Sequence, residues 1–289
     1  MEAQKPNSAA KAVNAGHNVR GIKNAFYVIL ACFVVAVCLF LFVFGHPSHF
    51  NLDGVAGAEN ISSMFFTDIN AHPNDLVGTI FKGGVIVPIL QTLLLTVIVL
   101  SVERAIALKS AKGKGNITKF VGDVKKCLAT NDIAKAQDLC KKQGGSVAAV
   151  VGAALIRYKE MDENTTLTKE QKVATLQKEV EEATAMEMPS LQQNLPIVAT
   201  LTTLGTLVGL LGTVIGMIKS FQALAASGAP DSTELSTGIS EALINTAFGI
   251  ATGAFAVISY NYYTNKIDNL TYAIDEIGYS IVQSFAATH

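Results

Sequence analysis

Four stretches of this chain are apolar for long enough to cross a bilayer, and nothing else in the sequence restricts its fold as severely. In hydrocarbon each backbone amide must find its partner within the segment, so a run of about 20 apolar residues becomes a helix. The first, Ala25–Phe44, contains twenty residues and no charge. It is longer than a signal-peptide core, and the small-residue site Ala56-Gly57-Ala58 lies too far beyond it, so an uncleaved span is expected. The second, Gly83–Val102, has Pro88 near its start, where a missing backbone donor is best tolerated. The third is Leu195–Ile218 and the fourth Gly238–Tyr260. Half of all residues are hydrophobic and only 16% charged, well away from the composition of soluble domains. The expected fold is all-α: a polytopic membrane protein with four transmembrane helices and a helical cytoplasmic domain between spans two and three.

Orientation follows from lysine and arginine. The first 24 residues hold four of these cations, residues 45–82 hold one, and residues 103–194 hold fifteen. Basic segments stay inside. The sequence therefore divides into a cytoplasmic tail (1–24), span one (25–44), a periplasmic loop (45–82), span two (83–102) and a cytoplasmic helical domain (103–194). Span three (195–222), a short periplasmic loop around Gly228, Pro230 and Asp231 (223–236), span four (237–263) and a cytoplasmic C-terminal helix (264–289) complete it. Both termini lie inside a cytoplasmic membrane on this reading. Tyr260, Tyr262 and Tyr263 suit the interface, and Leu270, Ile274, Ile277 and Ile281 form the apolar side of the last helix.

Within 103–194, one helix is expected near Ile117–Ala129 and a second after Asn131, ending at Gly144-Gly145 with Lys141 and Lys142 in its last turn. Ser146 is placed to cap a third. Thr168 and Gln171 form a capping box for a fourth, with Val173, Leu176, Val180 and Ala183 on one face. The charged stretch from Lys169 to Glu182 mixes both signs at helical spacing, which describes a solvated face rather than a nucleic-acid surface. Cys32, Cys38, Cys127 and Cys140 have no metal or redox spacing and are read as free thiols. His46, His49 and His72 match no ligand pattern, and the sequon letters at Asn60 are taken as chance. No cofactor or metal is expected.

Spans three and four are too polar to be inert anchors. Thr202, Thr206, Gly209, Thr213, Gly216 and Ser220 alternate spacings of four and three, which aligns them on one side of a helix. Ala242, Thr246, Gly249, Gly253 and Ala256 do the same on the next span. Stripes of this kind often mean only close packing. Two of them in consecutive spans, with a carboxylate at Glu241 and an amide at Asn245, point to a polar pathway, because uncompensated charge in hydrocarbon costs several kcal/mol. Glu241 and Lys219 fall near the outer ends of antiparallel spans. Either they pair there, or the glutamate faces interfacial water while the lysine snorkels.

The segments LLGTVIGMIKSF (210–221) and GISEALINTAFGIATGAFAVISYN (238–261) resemble the MotA/TolQ/ExbB proton-channel family, with the ExbB branch nearest in pattern. The turn NDIAKAQDLCKKQGG extends the likeness loosely into the middle domain. The resemblance implies a pentameric scaffold around an ExbD-like single-span partner whose intramembrane aspartate carries protons, energised by the proton-motive force and passing work to a TonB-like protein. It implies a pore lined by Thr213 and Thr246, and the four-three stripe extends that pathway to Thr206 and Thr202. Glu241, Asn245 and Lys219 become gate or assembly residues, and Gly209, Gly216, Gly249 and Gly253 close-packing residues. The first span is an addition to the three-span pattern. A TolQ-like envelope-maintenance subunit and a purely structural scaffold are the alternative readings. No nucleophile elbow, phosphate loop or paired catalytic carboxylates stand in the chain, so no enzyme is expected.

Overall fold

The computed structural model describes residues 24–51, 72–227 and 232–288; the N-terminal tail, Ala56-Gly57-Ala58, the Asn60 sequon and the turn around Pro230 lie outside these. The protein is all-α, and four helices are long and apolar enough to cross a membrane. In chain order they and their neighbours are α1 (Ala25–Cys38), continued by a π-helical turn (Leu39–Phe44), strands β1 (Phe50–Asn51) and β2 (His72–Pro73), α2 (Leu76–Lys82) and α3 (Ile86–Lys112). Then follow α4 (Ile117–Ala129), α5 (Ile133–Gln143), α6 (Gly145–Glu163), α7 (Lys169–Gln192), α8 (Leu195–Ser227) and α9 (Ser232–Thr288). The chain forms two compact units, one of residues 23–102 with 196–261 and one of 103–195 with 262–288.

In the first unit, α1, α3, α8 and α9 share an apolar core of Val28, Cys32, Val97, Leu100, Val198, Leu201 and Ala256. Such contacts bring four spans together without a hydrophobic drive between them, since the lipid is equally apolar; packing and polar contacts decide which faces meet. Ser101 donates to Ser259 Oγ at 2.8 Å, joining α3 to α9. Outside the spans, residues 45–51 and 72–82 form short elements of their own. Phe50 pairs with Pro73 and Asn51 with His72 in an antiparallel ladder. Asp75 then caps α2 by accepting from the Gly78 N–H at 2.8 Å, and it binds His49 Nδ1 at 2.6 Å. The Gly78 amide, aided by His49, holds the Asp75 carboxyl below the usual carboxylate range. His49 thus serves a helix cap.

The second unit stacks α4 on α5, α5 on α6 and α6 on α7, with the last stretch of α9 laid against them. Ile267, Leu270, Ile274, Ile277, Ile281 and Phe285 are all buried along that stretch. Phe285 meets the Tyr158 ring edge-on at 4.9 Å, and Lys125 reaches Glu276 at 2.6 Å. The capping box of α7 is present, with Thr168 N–H donating to Gln171 Oε1 at 3.0 Å. Three features differ from the sequence reading. Helix α9 runs unbroken through Tyr263, because neither glycine nor proline occurs between Gly253 and Gly278. Helix α3 passes Val102 and stops only at Gly113, which has φ +73°. Ser146 does not cap α6: Gly144 and Gly145, both at positive φ, reverse the chain one residue earlier, and the Ser146 hydroxyl is buried inside the first turn.

Arg104 ties this unit at the end of α7. Its side chain is 0% exposed, its Nε and Nη2 donate to Glu103 at 2.7 and 2.6 Å, and its Nη1 donates to the Ser190 and Leu191 carbonyls at 3.3 Å. Those carbonyls belong to the last turn of α7 and have no helical donor of their own. Asn194, at φ +62°, then redirects the chain into α8. Replacing Arg104 by Met is expected to cost about 3–5 kcal/mol, because it removes the counter-charge of a buried carboxylate and the donor of two carbonyls at once; denaturant unfolding of the detergent-solubilised protein measures it. Burial also pushes the Cys140 thiol up to about 12. Cys140 should therefore resist maleimide at pH 8 in the folded protein and react readily once unfolded.

Candidate functional site

The site is built where α8 lies antiparallel along α9. Glycine makes that approach possible, since each position that faces the partner backbone has no room for a side chain. A Cβ on Gly209 would stand 2.9 Å from the Gly249 Cα, and one on Gly249 would stand 2.6 Å from the Gly205 carbonyl oxygen. Likewise, a Cβ on Gly216 would meet the Ala242 Cβ at 2.8 Å and one on Gly253 the Thr202 carbonyl at 2.9 Å. All of these are closer than ordinary Cβ contacts. The two stripes of small residues thus face each other, and Gly209, Gly216, Gly249 and Gly253 line the contact.

The centre of the contact is slightly rotated from the expected stripes. Along the seam, the buried positions of α9 are Ala242, Asn245, Gly249, Thr252, Gly253 and Ala256, and those of α8 include Gly205, Gly209 and Gly212. Gly205 and Gly212 receive Thr252 and Asn245: a Cβ added at either glycine would come within 2.9 Å of Thr252 or 2.6 Å of Asn245. These two glycines were readable, because Gly205, Gly209, Gly212 and Gly216 themselves repeat at four-three-four. The rotation moves Thr202, Thr206, Thr213 and Thr246 to the flank, where all four are partly exposed.

Thr213 and Thr246 make a hydroxyl-to-hydroxyl contact across the two helices. Carbonyls within reach of each O–H explain their position: Gly209 and Ala242 at 3.3 Å for Thr213 Oγ1, and the same Gly209 carbonyl at 3.3 Å for Thr246 Oγ1. The two hydroxyls and one glycine carbonyl therefore form a closed polar knot on the flank of an otherwise apolar seam. Thr202 and Thr206 donate instead to carbonyls of their own helix, Ala199 at 2.6 Å and Thr203 at 2.8 Å. Thr213 also opens onto a groove of about 550 Å³ shared with Val214, Met217, Ile218 and Phe221. Val214, Ile218 and Phe221 are exposed there.

Toward the end of the seam that holds Lys219 and Glu241, Asn245 is buried, and its Nδ2 donates to the Gly83 carbonyl at 3.3 Å. Lys219 is exposed and Glu241 half-buried. Among the described residues no ion pair of 4.0 Å or less joins Glu241 to Lys219 or to Lys82. Both lysines nevertheless lie within electrostatic reach of Glu241. Lys82 stands far away in sequence, at the end of α2, and spacing within spans three and four gives no signal for it. Among the described residues, no three His, Cys, Asp or Glu side chains gather as metal ligands would.

Residues 150–276 match the model of the MotA/TolQ/ExbB proton channel family. Over 88 residues the chain is 38% identical to the Tol-Pal system protein TolQ of Pseudomonas aeruginosa, which covers 30% of this chain and 38% of that protein. It is 34% identical over 82 residues to TolQ of Haemophilus influenzae, covering 28% and 36%. To the biopolymer transport protein ExbB of Helicobacter pylori it is 37% identical over 81 residues, covering 28% and 56%. The matched stretches thus span about 36% to 56% of these relatives, and both names recur at nearly equal identity.

Closing the gap at the seam should be harmful in proportion to the intruding atoms. Gly209→Val and Gly249→Val are each expected to cost about 1–3 kcal/mol by overpacking, whereas Gly122→Ala in α4, where nothing lies within 4 Å of the added carbon, should be stabilising by about 0.5–1 kcal/mol. Thermal melts of the three variants in one detergent separate the two outcomes. The seam and its threonine knot lie wholly within residues 150–276, the part of the chain that matches the model of the MotA/TolQ/ExbB proton channel family.

Proposed function

We propose that the chain is the scaffold and proton-channel subunit of an inner-membrane motor of the ExbB-ExbD-TonB type, and that it uses the proton-motive force to drive active transport across an outer membrane. The observation that carries this reading is the Thr213–Thr246 hydroxyl contact on the partly exposed flank of a glycine-packed seam. A hydroxyl both donates and accepts, and it binds a passing proton far more weakly than a carboxylate or imidazole would. Threonine walls can therefore solvate the carboxyl group of a partner helix in both protonation states without trapping the proton. One elementary charge crossing 100 mV supplies about 2.3 kcal/mol, so useful work needs repeated passages along a route of this kind.

In this reading the titrating aspartate belongs to an ExbD-like single-span partner, and copies of this chain form a homo-oligomer, a pentamer, around it. The groove beside Thr213 and the exposed Leu207, Leu211 and Val214 on α8 are the surfaces left for neighbouring copies, partner and lipid. Both termini and the charged helical unit face the cytoplasm, as the lysine distribution demands. Glu241, Asn245 and Lys219 act at the outer end as gate or assembly residues. The identity to two TolQ proteins supports a second reading of the output: the same motor can serve envelope maintenance through TolR- and TolA-like partners. Complementation of strains lacking one or the other system assigns the output.

Thr213→Val and Thr246→Val keep the shape and remove the hydroxyl. Each is expected to lower partner-dependent, proton-driven work at least tenfold, about 1.4 kcal/mol, while the oligomer and its partner still co-purify. Full activity of both variants would leave only a packing scaffold.

A further inference from the structure

The outer segment that precedes span two reaches the seam next to Thr246, and its attachment is built at both ends. At its start α2 is held by Asp75, which caps Gly78 and binds His49. At its end Phe81 stacks on Phe40 of the first span at a ring separation of 4.7 Å and meets Phe50 of β1 edge-on at 5.7 Å. Lys82 and Gly83 follow directly. Gly83 has no side chain to keep α9 away: a Cβ there would stand 3.2 Å from Asn245 Oδ1, and its carbonyl accepts from Asn245 Nδ2 at 3.3 Å. Asn245 in turn fills the space left by Gly212 and immediately precedes Thr246. Its Oδ1 is buried with no protein hydrogen bond.

One helical turn before Asn245 on α9 stands Glu241, and one residue before Gly83 stands Lys82. The bond from the Asn245 side chain to the Gly83 carbonyl therefore brings the lysine to the depth of the glutamate, within electrostatic reach of that carboxylate. We propose that Lys82 is the positioning counter-charge of Glu241, and that α2, carried by the first span, is an outer latch on the α8–α9 seam. The inference rests on the proton-channel reading for its consequence, but the pairing itself does not need it. It gives the first span a role: through Phe40 and Phe81 that span holds the latch, and through Lys82 and Gly83 the latch holds the outer end of α9 in register with α8.

The test uses the full chain with its partner subunit and has two readouts. The first is the thermal melt of the purified protein in detergent, which is indifferent to motor function. Lys82→Met and Glu241→Gln should each lower the melting temperature, and the double variant should fall by no more than the larger single effect, because contacting residues do not add. Lys219→Met should couple to Glu241→Gln clearly less than Lys82→Met does. The second is proton-driven work at equal complex abundance. Lys82→Met should lose roughly five-fold or more, Lys82→Arg should stay within about twofold of the parent, and Lys82→Glu combined with Glu241→Lys should recover at least about half of the activity that either single reversal loses. Additive melting shifts for Lys82 and Glu241, or coupling of Glu241 to Lys219 instead, overturn the pairing. Coupled melting with undiminished work in Lys82→Met overturns the latch. Coupled melting together with Thr213→Val and Thr246→Val variants that work normally sinks the channel reading while leaving the pair standing.

Discussion

Backbone-to-backbone contact between α8 and α9 is the interaction on which the described site depends. In a membrane, apolar surface gains little by leaving lipid, so two helices associate where they fit and where they can exchange polar contacts. Gly205, Gly209, Gly212 and Gly216 provide the fit on one helix, and Ala242, Gly249 and Gly253 provide it on the other. Everything polar in the region is placed by that approach. The Thr213 hydroxyl can reach the Ala242 carbonyl on the facing helix only because no side chain at Gly209 or Gly216 separates the two backbones. The same closeness allows Asn245 to lie over Gly212 and still reach Gly83.

The charged unit is stabilised by different means. Its helices are amphipathic and meet along buried aliphatic rows, of which the Ile267–Phe285 row of α9 is the longest. Its costly element is Arg104, a guanidinium removed from solvent and satisfied by one carboxylate and two helix-terminal carbonyls. Buried pairs of this kind add little net stability but penalise every arrangement in which they are separated. At Arg104 that penalty fixes where α7 ends, and with Asn194 it fixes where α8 begins.

Much of this was legible in the sequence. Charge-free runs give four spans, and four-three spacing picks out the small-residue stripes and the two threonines. Helix ends with local causes were readable as well: the Thr168–Gln171 box depends on residues three apart. Errors arose where the local signal was misleading or missing. Ser146 has the chemistry of a cap but sits behind two glycines that already make the turn. Tyr263 suggested a boundary, yet an interfacial tyrosine does not break a helix; only an unsatisfied backbone or a special dihedral does so. The Lys82 end of α2 could not be read at all, because its relation to Glu241 and Asn245 crosses more than 150 positions, and periodicity within one helix carries no information on which loop will cover it.

The threonine knot has a further consequence. Its two hydroxyls share the Gly209 carbonyl, and Thr213 alone also reaches the Ala242 carbonyl. Each hydroxyl carries one proton, so only one can donate to the other at a time, and the second then donates to a carbonyl. With Thr246 in that second role only Gly209 is in reach, whereas with Thr213 in it both Gly209 and Ala242 are. The two senses of the pair are therefore inequivalent, and the asymmetry lies in the seam itself.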